Sequence, residues 1–426
     1  MNNTIENYVE TVCSCIKWKN YCHAVKIEFE NHICGSVDAF IGQGMAEEEA
    51  INLALQDMGD PYIIGEQLNE AYQPKCDKML IFTVAFPIII FSICEYFAVL
   101  EITGDSSHLV KSFVRILAGG LGGFWLFQND WAGEGKLNKF ALNAYISIII
   151  ICIILYFFFF TSKVNLINEM LLLLPYLCCC CIDRVKDKKV VGLVIVMVIF
   201  MIPIFTAYYV QSFSGMIALT VIGWTICMMI IRNDWLGIAK KGLGYIFVSI
   251  PCLGILICSV IMKMDNLRLN QKGFFAWEIM KNSVACGRGG TNVDSYKSII
   301  DYPLTLLAAK YGYIMLVAYV ICFIFIILEI IKIYGKQQSF MGKLLIISTL
   351  VSFIMEFSFS LLLNLGIPLI KGFTVPFLDF HFGITIKIMQ IALIMKMDCF
   401  GNYIFSNYSD NRLFDVEGGK IIIYYR

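Results

Sequence analysis

Charge is what this chain has least of. Asp, Glu, Lys and Arg make up only 15% of its 426 residues, where a soluble globular domain carries about a quarter. Acids and bases balance to a formal net charge of zero, so no basic excess speaks for nucleic acid. No signal peptide is visible either: the first apolar run begins only at Met79, after a charged segment. The cysteines of that polar head, Cys13, Cys15, Cys22 and Cys34, are not spaced as CxxC pairs, although His23 and His32 lie among them. Zinc is therefore a weaker reading than reduced cysteines on a cytosolic helix.

Apolar residues are what is there instead. They form 58% of the chain, and the mean hydropathy is +0.73. Apolar runs near twenty residues long recur from Met79 onward, and about 20 such residues cross a bilayer core of about 30 Å as a helix. This is the pattern of a polytopic all-α membrane protein. The run Cys178–Cys181 closes one apolar stretch. Free cysteine packs as a small hydrophobe, with acylation near the cytosolic face as the alternative.

Residues 1–75 read as a separate helical domain. Trp18, Tyr21, Val25, Phe29, Ile33, Val37 and Phe40 recur at helical spacing. Gly42 and Gly44 end that helix. Glu47, Glu48 and Glu49 crowd the first turn of the next, where the helix dipole favours anions. Gly59, Asp60 and Pro61 then stop it and start a third.

Ten spans are expected, near 79–99, 109–127, 140–160, 166–182, 190–209, 213–231, 243–263, 304–330, 344–365 and 376–395. They form a membrane domain over 76–396, with a large loop at 264–303 and a tail at 397–426. Placing both termini in the cytosol puts Lys136, Lys139, Arg184, Lys186, Lys188, Lys189, Arg232, Lys240, Lys241, Lys332, Lys336 and Lys343 in short inner loops. Only Lys163 and Lys371 then fall in short outer ones, as the positive-inside rule requires. The 264–303 loop, with five basic residues, is then outside.

Polar side chains recur where they are costly. Ser352, Glu356, Ser360 and Asn364 stripe the ninth span; Asp379, Gly383, Lys387 and Gln390 stripe the tenth. Lipid satisfies neither stripe, so each must face other helices or a wet cavity. Glu356 and Lys387 are placed to pair between neighbouring helices, and Lys111 and Arg115 add charge to the second span.

Several segments resemble the FtsW/RodA/SpoVE family, the ten-span SEDS proteins of bacterial cell-wall synthesis. "DYPLTLLAAKYGY" keeps the family's loop aspartate as Asp301, an aromatic after it, and Gly312 at the same distance. "ACGRGGTNVDSY" resembles its Gly-rich loop segment. "NLGIPLIKGFTVPFLDFHFG" resembles the segment before the tenth span, with Asn364, Gly372, Pro376, Phe377 and Phe380 in register. "DSSHLVKSFVRILAGGLGG" resembles the opening of its second span, "INEM" its Pro-Ser-Glu at Glu169, and "VQSFSG" its Gln-Pro-Asp-Leu-Gly. The chain departs from the pattern at Ile299 and Ile300, at Ala309 and Lys310 in place of paired glutamates, and at His381 and Phe382 in place of Gly-Gly. The family's tryptophan-bearing loop before the fourth span is missing. "GMAEEEAINLALQDMGDP" resembles the helical prefix ahead of permease-type proteins and implies an interaction module.

The resemblance implies a peptidoglycan glycosyltransferase that joins lipid-linked disaccharide precursors at the outer face, beside a class B penicillin-binding transpeptidase and the membrane lipids. Asp301 would be the base that takes the proton of the acceptor hydroxyl. Arg288, Lys281, Lys297, Lys310 and Lys371 are candidate contacts for the pyrophosphate leaving group, and Glu169 is grouped with them. Glu356, Asn364, Asp379 and Lys387 are candidates for a polar cavity. No cofactor is implied; a divalent cation is conceivable, though no ligand cluster points to one. Each residue has a plainer reading: Asp301 as a helix cap ahead of Pro303, the lysines and arginine as solvated loop charge, the stripes as glue between helices. A flippase for a lipid-linked sugar and a catalytically silent scaffold remain the alternatives.

Overall fold

The computed structural model describes residues 3–17, 19–71, 78–104, 107–128, 136–159, 164–182, 185–186, 188–264, 271–288, 302–337, 339–365, 375–377, 383–404, 414–417 and 420–423. The chain divides into two compact units. One comprises Met1–Cys76, Asn129–Leu137 and Cys399–Arg426; the other comprises Asp77–Gln128 and Asn138–Asp398.

Among its described residues the N-terminal part of the first unit holds α1 (Asn3–Cys15), α2 (Lys19–Gly42), α3 (Glu47–Met58) and α4 (Pro61–Ala71). The apolar stripe of α2 is inward, with Val25, Phe29, Ile33 and Val37 all buried. Helix α1 is an addition to the sequence reading. It packs on α4 at Gly65, where a Cβ would lie 2.6 Å from that of Cys15. The Tyr8 hydroxyl donates to the Gly59 carbonyl at 2.9 Å. Cys13 and Cys22 each donate to the other's carbonyl at 3.6 Å and are free thiols. A short antiparallel hairpin, β1 (Phe414–Glu417) with β2 (Lys420–Ile423), lies in the C-terminal tail.

The described residues of the second unit form helices, and the unit is membrane-spanning. Among the described residues, eight helices are long and apolar enough to cross a bilayer: α5 (Lys78–Thr103), α6 (Ser107–Gln128), α7 (Lys136–Phe159), α10 (Lys189–Tyr209), α11 (Phe213–Arg232), α12 (Lys241–Met264), α15 (Tyr313–Lys336) and α16 (Phe340–Asn364). The other two expected spans differ from an unbroken apolar helix. The fourth is in two pieces, α8 (Val164–Leu171) and α9 (Leu174–Ile182), ahead of Pro175. The tenth, α17 (Gly383–Ile404), carries Lys387, Lys396 and Asp398 and runs past the expected boundary at residue 396. The eighth span also departs from expectation. A short helix α14 (Pro303–Tyr311) stops at Gly312, and α15 starts afresh after it. The loop before it contains α13 (Gln271–Lys281).

Helices α6 and α17 meet through glycine. A Cβ on Gly119 would lie 3.1 Å from atoms of Ile388 and Thr385, and one on Gly123 would lie 2.9 Å from the Ala392 Cβ. Small residues four apart let two backbones approach in this way inside a membrane.

Candidate functional site

Two polar assemblies are built into the second unit. The first is buried. The Lys387 ammonium of α17 lies 2.8 Å from Glu169 Oε2 of α8 and 2.6 Å from Glu356 Oε2 of α16. Ser352, one turn before Glu356, donates its hydroxyl to Glu356 Oε1 at 2.8 Å. The Phe353 ring faces the ammonium at 5.9 Å. All three charged side chains are at most 1% exposed. Buried charges in a membrane must be paired in this way, because lipid offers them nothing. The two stripes thus meet each other and close on an ion cluster. The Glu356–Lys387 pairing is as the helical spacing suggests. Glu169, grouped by the resemblance with the loop cations, sits inside this buried cluster. It stands one turn before the α8–α9 break, and a non-helical backbone at membrane depth is tolerated only where protein buries it.

The second assembly lies where α5 and α14 both end. The four residues before Arg288 are clamped to the α14–α15 junction by three backbone hydrogen bonds: Gly287 N–H to Tyr311 O at 3.0 Å, Tyr313 N–H to Val284 O at 3.0 Å, and Ile314 N–H to Ala285 O at 3.1 Å. Gly312 makes the clamp possible. Its φ is +88°, and a Cβ there would lie 2.8 Å from Cys286 Cα. The clamp brings Arg288 to the last basic residue of α14. Arg288 Nη1 lies 2.6 Å from Glu101 Oε1, and Lys310 Nζ lies 3.1 Å from Glu101 Oε2. Lys310 is buried, while Glu101 and Arg288 are about half exposed.

The start of α14 is capped from outside. Its N-cap residue, Tyr302, makes no side-chain cap. Asn364, at the end of α16, accepts from the Thr305 N–H at 2.9 Å and from the Thr305 hydroxyl at 3.0 Å. The Asn364 amide donates to Ser360 O at 2.8 Å. Asn364 therefore ties the start of α14 to the α16 stripe. Nearby, the Tyr319 hydroxyl of α15 donates to Pro376 O at 2.5 Å, and Phe353 meets Phe377 edge to face.

The structure thus brings Arg288 and Lys310 together at one end of the bundle, and Glu169, Glu356 and Lys387 in its core. Lys281 is exposed at the end of α13. Asp301, Lys297, Lys371 and Asp379 lie outside the described residues. Among the described residues, no group of three or more His, Cys, Asp or Glu side chains is arranged to hold a metal ion. Glu101 escaped the sequence reading because it follows the first apolar run, whose expected end was residue 99. The GxxxG spacing of Gly119 and Gly123 was legible but was absorbed into a motif match.

No family model matches the chain, and no curated protein matches it. Solved structures do. A chain of a peptidoglycan synthase complex that coordinates polymerization and crosslinking superposes with a TM-score of 0.57 at 13% identity, covering 76% of this chain and 98% of that one. Rod shape determining protein RodA of Thermus thermophilus superposes with a TM-score of 0.53 at 11% identity, covering 76% and 97%. An aspartate-to-alanine variant of that RodA gives the same TM-score and identity. At this identity the likeness shows a shared fold, over nearly the whole length of those proteins.

Proposed function

We propose that this chain polymerises glycan strands from a lipid-linked disaccharide precursor at the outer face of the plasma membrane, as a divergent SEDS-type peptidoglycan glycosyltransferase. The observation that carries the reading is the convergence of Arg288 and Lys310 on Glu101 at the C-terminal end of α14, the helix that follows Asp301 in sequence, in a fold shared with RodA. The acceptor hydroxyl oxygen attacks the anomeric carbon of the donor sugar. The bond from that carbon to the pyrophosphate oxygen breaks, and its electron pair leaves with the pyrophosphate. Asp301 takes the hydroxyl proton, and the two cations stabilise the charge growing on the leaving group.

The capping geometry supports the role of Asp301. An aspartate ahead of a helix usually serves the N–H groups of the first turn. Here the Thr305 N–H is served by Asn364, so a cap at Asp301 would be redundant on that group. Both termini are cytosolic in this reading, which places the α5/α14 end outside. The partner is a transpeptidase that crosslinks the product, by analogy with the complex of similar fold. The substrate keeps its tail in lipid and its sugars in water, which suits a cation pair at a helix end. Glycan synthesis from purified lipid-linked disaccharide, compared with Asp301→Ala, tests the assignment. The variant is expected to lose product; full activity in it would remove Asp301 as the base.

A further inference from the structure

Glu101 bridges two cations of unlike character. The Lys310 side chain is 3% exposed, whereas those of Arg288 and Glu101 are 51% and 45% exposed. A buried ammonium stripped of its counter-ion is strongly destabilising. A half-exposed carboxylate moves into water at little cost. Lys310 must therefore keep an anion, but nothing obliges that anion to be Glu101. The backbone clamp through Gly287, Val284 and Ala285 fixes where Arg288 begins, and α14 fixes Lys310. The two cations are presented from separate segments to separate oxygens of one group. A diphosphate offers more oxygens and more negative charge to the same fork.

We propose that Glu101 is a resident counter-ion in an anion subsite formed by Arg288 and Lys310, and that the diphosphate of a lipid-linked substrate displaces it. This rests on the proposed function and adds a residue to it. Glu101 competes with the substrate for its two cations and so sets the affinity of the site. Displaced, its carboxylate turns to water while Lys310 remains neutralised throughout.

The test is binding of inorganic pyrophosphate to the full chain in phosphatidylcholine nanodiscs, followed by calorimetry. Glu101→Gln keeps the shape and removes the competing charge, and it tightens binding by at least about tenfold. Lys310→Met and Arg288→Gln lose the binding; Arg288 is exposed, so its variant folds even if the Lys310 variant does not. Binding that is unchanged or weaker in Glu101→Gln overturns the proposal. Loss of pyrophosphate binding when phosphatidylglycerol replaces phosphatidylcholine would put a headgroup phosphate in the subsite and overturn the diphosphate assignment. Undiminished binding there supports it. Tight pyrophosphate binding by Glu101→Gln, in a protein that makes no glycan from lipid-linked disaccharide, supports the subsite and overturns the polymerase reading alone.

Discussion

Lys387 is buried between two acids. Replacing it with methionine leaves Glu169 and Glu356 buried against each other, and removing one partner of a buried ion pair costs about 3–5 kcal/mol. Lys387→Met is therefore expected to lower the melting temperature of the detergent-purified protein sharply. Glu356→Gln leaves the Glu169–Lys387 pair at 2.8 Å in place and should cost much less. Equal losses in the two variants would deny that charge pairing is what matters at this position. At Gly312 the constraint is steric. Alanine must adopt a φ near +88° and must push on the Cys286 backbone, at a cost of about 1–3 kcal/mol in strain. Gly312→Ala should weaken pyrophosphate binding, because it loosens the clamp that positions Arg288, and binding titrations read this directly.

Elements show where a linear sequence informs and where it does not. The α16 stripe was legible because Ser352, Glu356, Ser360 and Asn364 recur every four residues, and all four are buried. The matching position of Lys387 on α17 followed from the same period. Glu169 joins them from far away in sequence, which no local pattern reveals. Breaks in helices were equally hidden. Pro87, Pro203 and Pro251 lie within continuous helices, while the chain breaks at Leu172, Leu173 and Gly312. Hydropathy averages apolar character over a window and carries no information on backbone hydrogen-bond continuity. The α6–α17 contact makes its own prediction. Gly123→Leu places a branched side chain where a Cβ alone would come within 2.9 Å of Ala392, and it should reduce the yield of folded protein; a wild-type yield would mean that the helices separate freely. In the first unit, burial and the nearby Asp60 raise the Tyr8 hydroxyl from 10.0 to about 12. The folded unit keeps that proton while the unfolded chain releases it. Stability is therefore fully present below pH 10 and falls as pH rises toward 12. Tyr8→Phe should flatten this loss in an alkaline titration followed by far-ultraviolet circular dichroism.

For the whole molecule, the composition already implied a membrane protein, and the fold is one shared with RodA over most of both chains. The role proposed for Asp301 rests on the resemblance, since a single aspartate before a helix is ordinarily a cap. The proposed orientation rests on the distribution of basic residues among the loops and is open to direct chemistry. Cys34 and Cys286 are both exposed, the first in α2 and the second in the clamp. In intact cells a membrane-impermeant maleimide should label Cys286 and spare Cys34. The reverse pattern would turn the molecule over and place the cation pair on the wrong side for an exported glycan. The most direct measurement is strand formation by the purified wild-type chain, reconstituted with lipid-linked disaccharide and a crosslinking transpeptidase inactivated in any polymerase activity of its own. The account predicts a ladder of glycan products that depends on this chain. A folded, correctly oriented protein that yields no polymer under those conditions would contradict it.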